Sequence, residues 1–493
     1  MRVLIVGGVA AGMSAATRLR RLREDAEIVV FEAGENVSYA NCGLPYFVSD
    51  VISDRDALLL QTPESLWRRF RLEVRTSTRV TAIDRAASTI TAVNTITGEE
   101  LTDNYDYLVL ATGARPRTLD VPGGERALAL RDVADADRLK TAAANAKTAV
   151  VVGAGFVGVE VAENLRHLGL EVTLVQRQGQ ILSGFDLEMI EPLQAKLEAN
   201  GIRLALENQV ASVDADSVTL ASGEKVPADI VIAAAGVVPD NSLAIAAGLK
   251  IGDTGGLWVD ERQRTSDPRI LAAGDAVEKL GELTGNETLI PLANLANRHG
   301  RLIADVIAGI ETQAHAALGT AIIGAFGMAA AMTGLSEAGA RKAGIQATSI
   351  HIHPGSHAGY YPGAKRVSLK VTFDPTNGRL LGAQAIGEDG ADKRIDVLAT
   401  AIRAGFSIDE LMDLELAYAP QFGSAKDPIN HAGYVGNNVV HGTTPTIQWH
   451  ELDSALAAGA QLIDVRTATE NANGAIPGAR LIPVDELRDH LDQ

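Results

Sequence analysis

Residues 148–175 read TAVVVGAGFVGVEVAENLRHLGLEVTLV, and this stretch decides the fold. A β-branched run meets Gly153, Gly155 and Gly158 in a complete GxGxxG, and an amphipathic segment follows before a second β-rich run. That order is strand, glycine turn, helix, strand, the unit in which backbone amides at a helix N-terminus receive a pyrophosphate. Residues 2–32, RVLIVGGVAAGMSAATRLRRLREDAEIVVFE, repeat the plan with Gly7 and Gly12 in the turn. Glu32 stands twenty residues beyond Gly12, where an acidic side chain meets a ribose hydroxyl. Val9 occupies the place of the fingerprint's second glycine. One GxGxxG is a weak signal, but two in strand contexts imply two dinucleotides.

Further along, Ser222 and Gly223 mark a hairpin turn and ADIVIAAAG (228–236) a strand. TSDPRILAAGDA (265–276) returns to the strand-and-glycine texture of the N-terminus, so the chain is expected to re-enter its first domain. From about Gly319 the pattern changes to strands at RVSLKVTF and RLLGAQAIGE joined by DPTNG, then helices from Ala391 to Leu414, a third domain of α+β type. After the HGTTPT linker the remaining residues begin a fresh helix and strand but are too few for a domain.

The chain's 493 residues, 46% of them apolar, suit about three domains. A formal charge of −18 repels a phosphate backbone, so no nucleic-acid partner is expected, and an anionic ligand must find a local basic patch. The one cysteine, Cys42, excludes an intramolecular disulfide and a CxxC-type metal site and suits a reducing cytoplasm; no metal is expected. Arg2 precedes an apolar run that reaches Gly7 too soon for a signal core, so no export segment is expected. The charge-free stretch from Ala316 to Ser336 is long enough for a membrane span, but its alanines and interrupting glycines predict two short buried strands instead.

SYANCGLPYF around Cys42, ATGARP at 111–116, TSDPRILAAGDA, PLANLANRHGR, HAGYYPGA at 357–364 and LAYAPQFGSAKDPIN follow in one order. From Met1 to about Val440 the chain thereby resembles the two-dinucleotide flavoprotein disulfide reductases, and within them the single-cysteine coenzyme A disulfide reductases. The resemblance implies an α/β fold of two Rossmann-like dinucleotide-binding domains, one for FAD and one for NAD(P), plus an α+β dimerisation domain. The boundaries expected are 1–118 with 238–318 for FAD, 119–237 for the nicotinamide, 319–440 for dimerisation, 441–446 as linker and 447–493 as a partial rhodanese-like segment. That last segment rests on LIDVR and GAIPGARLIP, as in fused CoA disulfide or persulfide reductases. It contains no cysteine, so Asp464 and Arg466 are read as scaffold, sulfur transfer is not expected, and a mobile or partly folded tail is.

By the same resemblance Gly7 and Gly12 lie at the FAD pyrophosphate, Glu32 at the ribose, Thr112 and Gly113 near the cofactor and Asp275 at the ribityl chain. Gly153, Gly155, Gly158 and Glu160 take the nicotinamide cofactor, NADPH or NADH. An NAD-specific unit would carry an acidic residue where Gln176 and Arg177 stand, and an arginine there can meet a 2′-phosphate, a lean toward NADPH or dual use.

A cysteine attacks as its thiolate, and a thiol of ordinary pKa is only a few per cent ionised at neutral pH. Gly43 and Pro45 place Cys42 at a helix start, where the dipole is expected to lower the thiol pKa. With no second cysteine, Cys42 forms either a mixed disulfide with a small thiol or a sulfenic acid. Relatives that reduce peroxide or oxygen carry a histidine inside the first glycine turn, at the place of Ala10, which favours thiol exchange. Tyr361 and Tyr418 match the family's pair, which reach the cysteine across the dimer interface and serve as proton donors for the leaving thiolate. Ser14, Arg18 and Arg21 fall on one helical stripe suited to phosphates, and family positions add Ser38, Asn41, Asn297 and Lys426 to the CoA pocket.

The function expected is reduction of CoA disulfide or CoA persulfide by NAD(P)H through FAD and Cys42, in a cytoplasmic homodimer with no membrane partner. An NADH oxidase or peroxidase cycling through a sulfenic acid stands as the alternative enzyme. A redox-sensing or electron-transfer flavoprotein stands as the alternative of another class.

Overall fold

The computed structural model describes residues 1–492. Arg2–Val6 is the middle strand of a five-stranded sheet, flanked by Tyr107–Leu110 and Ile270–Ala272 on one side and by Glu27–Phe31 and Glu73–Arg75 on the other. Every pairing in it is parallel, with Val3 opposite Ile28 and Ile5 opposite Val30. A parallel sheet is covered on both faces, which is why the run Val3 to Val6 is apolar without alternation and buried throughout. Helix α1 (Ala10–Leu22) covers one face, α2 (Leu44–Val48) follows Cys42, and α3 (Pro63–Phe70) is closed by a Thr62–Ser65 capping box.

The chain leaves this sheet through Ala114–Pro116 into α4 (Val133–Ala143) and a second parallel sheet, ordered Ile202–Ala205, Glu171–Val175, Thr148–Val152, Ile230–Ala233. α5 (Phe156–His167) and α6 (Leu187–Ala199) belong to this second unit. The expected hairpin is present, Ser217–Leu220 pairing with Lys225–Pro227 around Ser222 and Gly223. The return strand Val237–Pro239 pairs antiparallel with the exit strand Ala114–Pro116. After α7 (Ser242–Ala246), Ile270–Ala272 rejoins the first sheet, and α8 (Ala293–Ile307) packs on α1, where a Cβ at Gly300 would fall 2.2 Å from the Ala11 carbonyl oxygen.

The third sheet is antiparallel and five-stranded, ordered Ala321–Ala325, Met328–Gly334, Leu380–Gly387, Val367–Phe373, Thr348–Ile352. Its first two strands are the charge-free stretch, and Ala330 and Ala331 are fully buried in it. Among the described residues no helix is long and apolar enough to cross a membrane. α9 (Glu337–Lys342), α10 (Ala391–Ala404) and α11 (Pro428–Val440) complete this region. The chain therefore has two Rossmann-like units and an α+β domain.

A buried ion cluster joins the second unit to the third sheet. Lys370, 2% exposed, meets Asp186 at 2.9 Å, Glu188 at 2.6 Å and Glu337 at 2.9 Å. Gln384 exchanges two hydrogen bonds with Asp186, and His351 lies 3.1 Å from Glu188. Burial acts to raise the Glu188 pKa, but hydrogen bonds with His351 and Lys370 outweigh it and hold the carboxyl at about 2.

A second compact unit begins at Asn437. It holds α12 (Leu452–Ala457), α13 (Ala468–Ala472) and a two-stranded parallel pair, Ile463–Asp464 with Arg480–Leu481. Asp464 accepts from Arg466 and Asn471. Of the described residues from 437 on only Ile482 is buried, while Ile447, Trp449, Val484 and Leu491 are exposed. That is secondary structure without a core of its own.

Candidate active site

The two glycine turns have one geometry. Gly7 takes φ +104° and Gly153 φ +105°, and a Cβ would fall 2.1 Å from the Ala111 oxygen at the first and 2.3 Å from the Ala234 oxygen at the second. A Cβ at Gly12 would meet the Gly7 oxygen at 1.9 Å, and one at Gly158 the Gly153 oxygen at 1.8 Å. Each pair lets a helix start tight against its own strand, leaving the first amides of α1 and α5 as anion donors. A Cβ at Gly155 would meet nothing within 4 Å, so the space beside that turn is open for a dinucleotide phosphate. Val9 is accommodated as the residue before α1, at φ −111°.

Glu32 directly follows the strand Glu27–Phe31 and accepts from the Gly8 amide at 2.8 Å and the Gly34 amide at 2.9 Å. Each carboxylate oxygen keeps a lone pair for a ribose hydroxyl, so the residue fits the expected role. Thr112 Oγ1 donates to the Asp240 carbonyl at 2.8 Å, and Arg131 donates to the Thr112 carbonyl at 3.3 Å beside Gly113. Asp275, after Gly274, is pushed above the usual carboxylate range by burial, against the pull of Lys279 and Arg131. Lys279 donates to the Gly274 and Val277 carbonyls, both at 2.9 Å, and burial pushes its ammonium down to about 8. Arg131 and Lys279 carry no motif in the sequence, and only the folded loops bring them to Asp275.

Cys42 sits in the 3₁₀ turn Asn41–Gly43 ahead of α2, exposed, its Sγ 3.9 Å from Asn41 Oδ1. The expected lowering of its pKa is overturned. The following helix is five residues long, and burial, then the Glu160 and Asp275 carboxylates, push the thiol up. Packing of α2 on α5 brings Tyr46, within the Cys42 motif, to the second unit: its hydroxyl donates to Glu160 Oε1 at 3.4 Å. Burial and the neighbouring Glu163 raise the Glu160 carboxyl to about 7, while the Tyr46 hydrogen bond opposes that rise. The lone sulfur thus shares one electrostatic environment with Asp275 of the first unit and Glu160 of the second. Gln176 and Arg177 lie just beyond the strand Glu171–Val175, with Arg177 exposed.

The α1 stripe is only partly available to a ligand. Ser14 donates to Asn297 Oδ1 at 2.8 Å, which brings those two expected residues together. Arg18 is committed to Asp305 on α8 at 2.7 Å. Arg21 lies 5.5 Å from the centre of the Phe70 ring, and Arg69 lies 5.1 Å from the same ring. Arg68 and Arg69 line a cavity along α3, a cationic neighbour of Arg21 that the motifs did not single out. Ser38, at φ +50°, is strapped behind the first glycine turn by its amide bond to the Gly8 carbonyl at 2.8 Å.

Tyr418 pairs with Tyr360, hydroxyl to hydroxyl at 2.8 Å, whereas Tyr361 stacks edge-on against His357 at 5.7 Å. Within the single chain neither these contacts nor those of Lys426 reach Cys42.

Residues 1–300 match the pyridine nucleotide-disulphide oxidoreductase family, and residues 321–427 match its dimerisation domain. The chain belongs to this family. Coenzyme A disulfide reductase of Staphylococcus haemolyticus is 35% identical over 436 residues, 88% of this chain and 98% of that protein. The crystal structure of reduced Bacillus anthracis CoADR-RHD superposes with a TM-score of 0.98 at 44% identity, covering 100% of this chain and 90% of that one. An NAD-dependent persulfide reductase from A. fulgidus gives 0.95 at 37% identity, covering 100% and 92%. The protein is a pyridine nucleotide-disulphide oxidoreductase with an α+β dimerisation domain.

Proposed function

We propose that the protein reduces CoA disulfide, CoA persulfide or both with NAD(P)H, as a homodimer that holds FAD in residues 1–118 with 238–318 and the nicotinamide in residues 119–237. The observation that carries this reading is the lone Cys42 placed between two dinucleotide turns, beside Asp275 and Glu160, with no second cysteine in the chain. The bound flavin would supply two-electron transfer from the nicotinamide to sulfur. Gly7, Gly12, Glu32, Thr112, Gly113 and Asp275 hold that cofactor, and Gly153, Gly155, Gly158 and Glu160 hold the nicotinamide, with Gln176 and Arg177 at its ribose.

In the oxidative half of the cycle the Cys42 thiolate attacks one sulfur of the substrate and the other sulfur leaves as a thiolate that takes a proton. A mixed disulfide between Cys42 and CoA remains, and two electrons with a second proton free the CoA thiol and restore Cys42. Tyr418 is the proton donor, and the hydroxyl pair favours Tyr360 over Tyr361 as its partner. Ser14, Asn297, Asn41, Ser38 and Arg21 bind CoA, joined by Arg18 once it leaves Asp305, and Lys426 comes from the dimerisation domain, residues 319–440. Residues 441–446 are a linker to the rhodanese-like segment 447–493, which holds no cysteine. A cytoplasmic location fits the single thiol chemistry.

The test is anaerobic oxidation of NADPH and NADH by the holoenzyme with CoA disulfide, CoA persulfide, peroxide and oxygen. Turnover with the CoA substrates at least about tenfold above the others is expected; peroxide or oxygen as the faster acceptor would defeat the reading.

A further inference from the structure

Lys279 opens the short strand Lys279–Leu280, which pairs antiparallel with Glu287–Thr288, yet the residue is 5% exposed. Its ammonium donates to the Gly274 and Val277 carbonyls, on either side of Asp275, both at 2.9 Å. Among the described residues no carboxylate stands at ion-pair distance from it: the adjacent Glu278 is turned to Thr254 Oγ1 at 2.9 Å, and Asp275 acts at longer range. His299 on α8 is 4% exposed, and neither of its ring nitrogens has a hydrogen-bond partner. Burial, then Lys279 and Arg298, push that imidazole down to about 4, so His299 stays neutral while Lys279 keeps the charge. A buried charge is costly unless an opposite charge meets it. This corner adjoins the proposed flavin site. Gly274 takes φ +88°, and a Cβ on it would lie 3.5 Å from Ala11 Cβ in the first turn of α1 and 4.0 Å from Ala296 Cβ on α8. Asp275 acts electrostatically on both the Cys42 thiol and the Lys279 ammonium.

We propose that Lys279 is a positioning residue for the flavin, which fixes the Gly274–Val277 turn and serves as the buried counter-charge that favours the reduced cofactor over the oxidised one. The proposal rests on the flavin site in the reading above. Hydride transfer from NAD(P)H delivers two electrons and one proton to the flavin, a net gain of one negative charge. A fixed cation near that gain stabilises the reduced form more than the oxidised form, and burial strengthens the effect by keeping water away. The FAD diphosphate meets the same cation in both redox states, so its contribution to binding is common to both. The difference between the states is therefore read in the reduction potential.

The test is the midpoint potential of the bound flavin, measured anaerobically at neutral pH against reference dyes in the parent holoenzyme and in Lys279→Met, Lys279→Gln and Lys279→Arg. The Met and Gln variants should each lower the reduced-to-oxidised ratio at a given potential about tenfold, which is about 30 mV for a two-electron couple. Gln keeps a donor for a backbone carbonyl, so a role confined to bracing the turn would leave its potential at the parent value. Lys279→Arg, which keeps the charge, should stay within about twofold of the parent ratio. Loss of FAD from the Met and Gln variants with retention in the Arg variant also supports the counter-charge. Loss from all three assigns Lys279 to packing and overturns the proposal, as does an unchanged potential in Met and Gln proteins that hold FAD. Parent protein that takes no FAD would defeat the flavin site itself, and the proposal with it.

Discussion

The Tyr46 hydroxyl donates to the Glu160 carboxylate across 3.4 Å, linking the helix after Cys42 to the helix after the second glycine turn. Glu160 titrates at about 7, and the hydrogen bond stabilises its ionised form. The pH profile of kcat/KM for NAD(P)H should therefore bend near 7. Tyr46→Phe should move the bend to higher pH and Glu160→Gln should remove it. A bend that survives in Glu160→Gln would assign it to another group.

Cys42 is the sole sulfur available for exchange. Cys42→Ser should abolish CoA disulfide reduction, on the order of 10³-fold or more, and preserve NAD(P)H-driven reduction of an artificial electron acceptor. In the free protein the thiol sits above its ordinary pKa, so alkylation by iodoacetamide should accelerate with pH beyond the point where an exposed thiol has levelled off.

Arg18 must break its 2.7 Å pair with Asp305 before it can meet a phosphate. Asp305→Asn should release it and lower the Michaelis constant for CoA disulfide by about twofold to fivefold, whereas Arg18→Ala with Arg21→Ala should raise it. A Michaelis constant that moves in neither case would remove the stripe from the CoA site.

The Tyr360–Tyr418 hydroxyl pair predicts an asymmetry between adjacent tyrosines. Tyr360→Phe and Tyr418→Phe should slow CoA disulfide turnover by about 10²-fold, and Tyr361→Phe, which keeps the ring against His357, should change it little. Steady-state rates of the three variants decide between the pairs.

Lys370→Met leaves Asp186, Glu188 and Glu337 facing one another in a buried site. Unfolding free energy should fall by about 3–5 kcal/mol, measured by denaturant titration. In the parent protein Glu188 has a depressed pKa, so its stabilisation is complete above the unfolded carboxyl value of about 4.3 and is lost as pH falls toward about 2.

The glycine turns were legible because a helix can start against its strand only where Gly12 and Gly158 admit a backbone oxygen. The third sheet was legible in outline, since DPTNG announces a turn and an alanine run rich in glycine packs as strands. Long-range partnerships were not. Nothing local to Arg18 names Asp305, 287 residues away, and nothing local to Asp275 names Arg131. The Cys42 pKa was misjudged for the same reason, because the burial that raises it first, and the Glu160 and Asp275 carboxylates that add to it, come from the folded chain and not from the local motif.

Val237–Pro239 lies against Ala114–Pro116, so the second Rossmann-like unit enters and leaves its host through two adjacent, mutually hydrogen-bonded strands. Such a seam makes the unit a cassette. Evolution or an engineer could exchange the whole insert for another by splicing at two points that are already side by side, leaving the first sheet undisturbed.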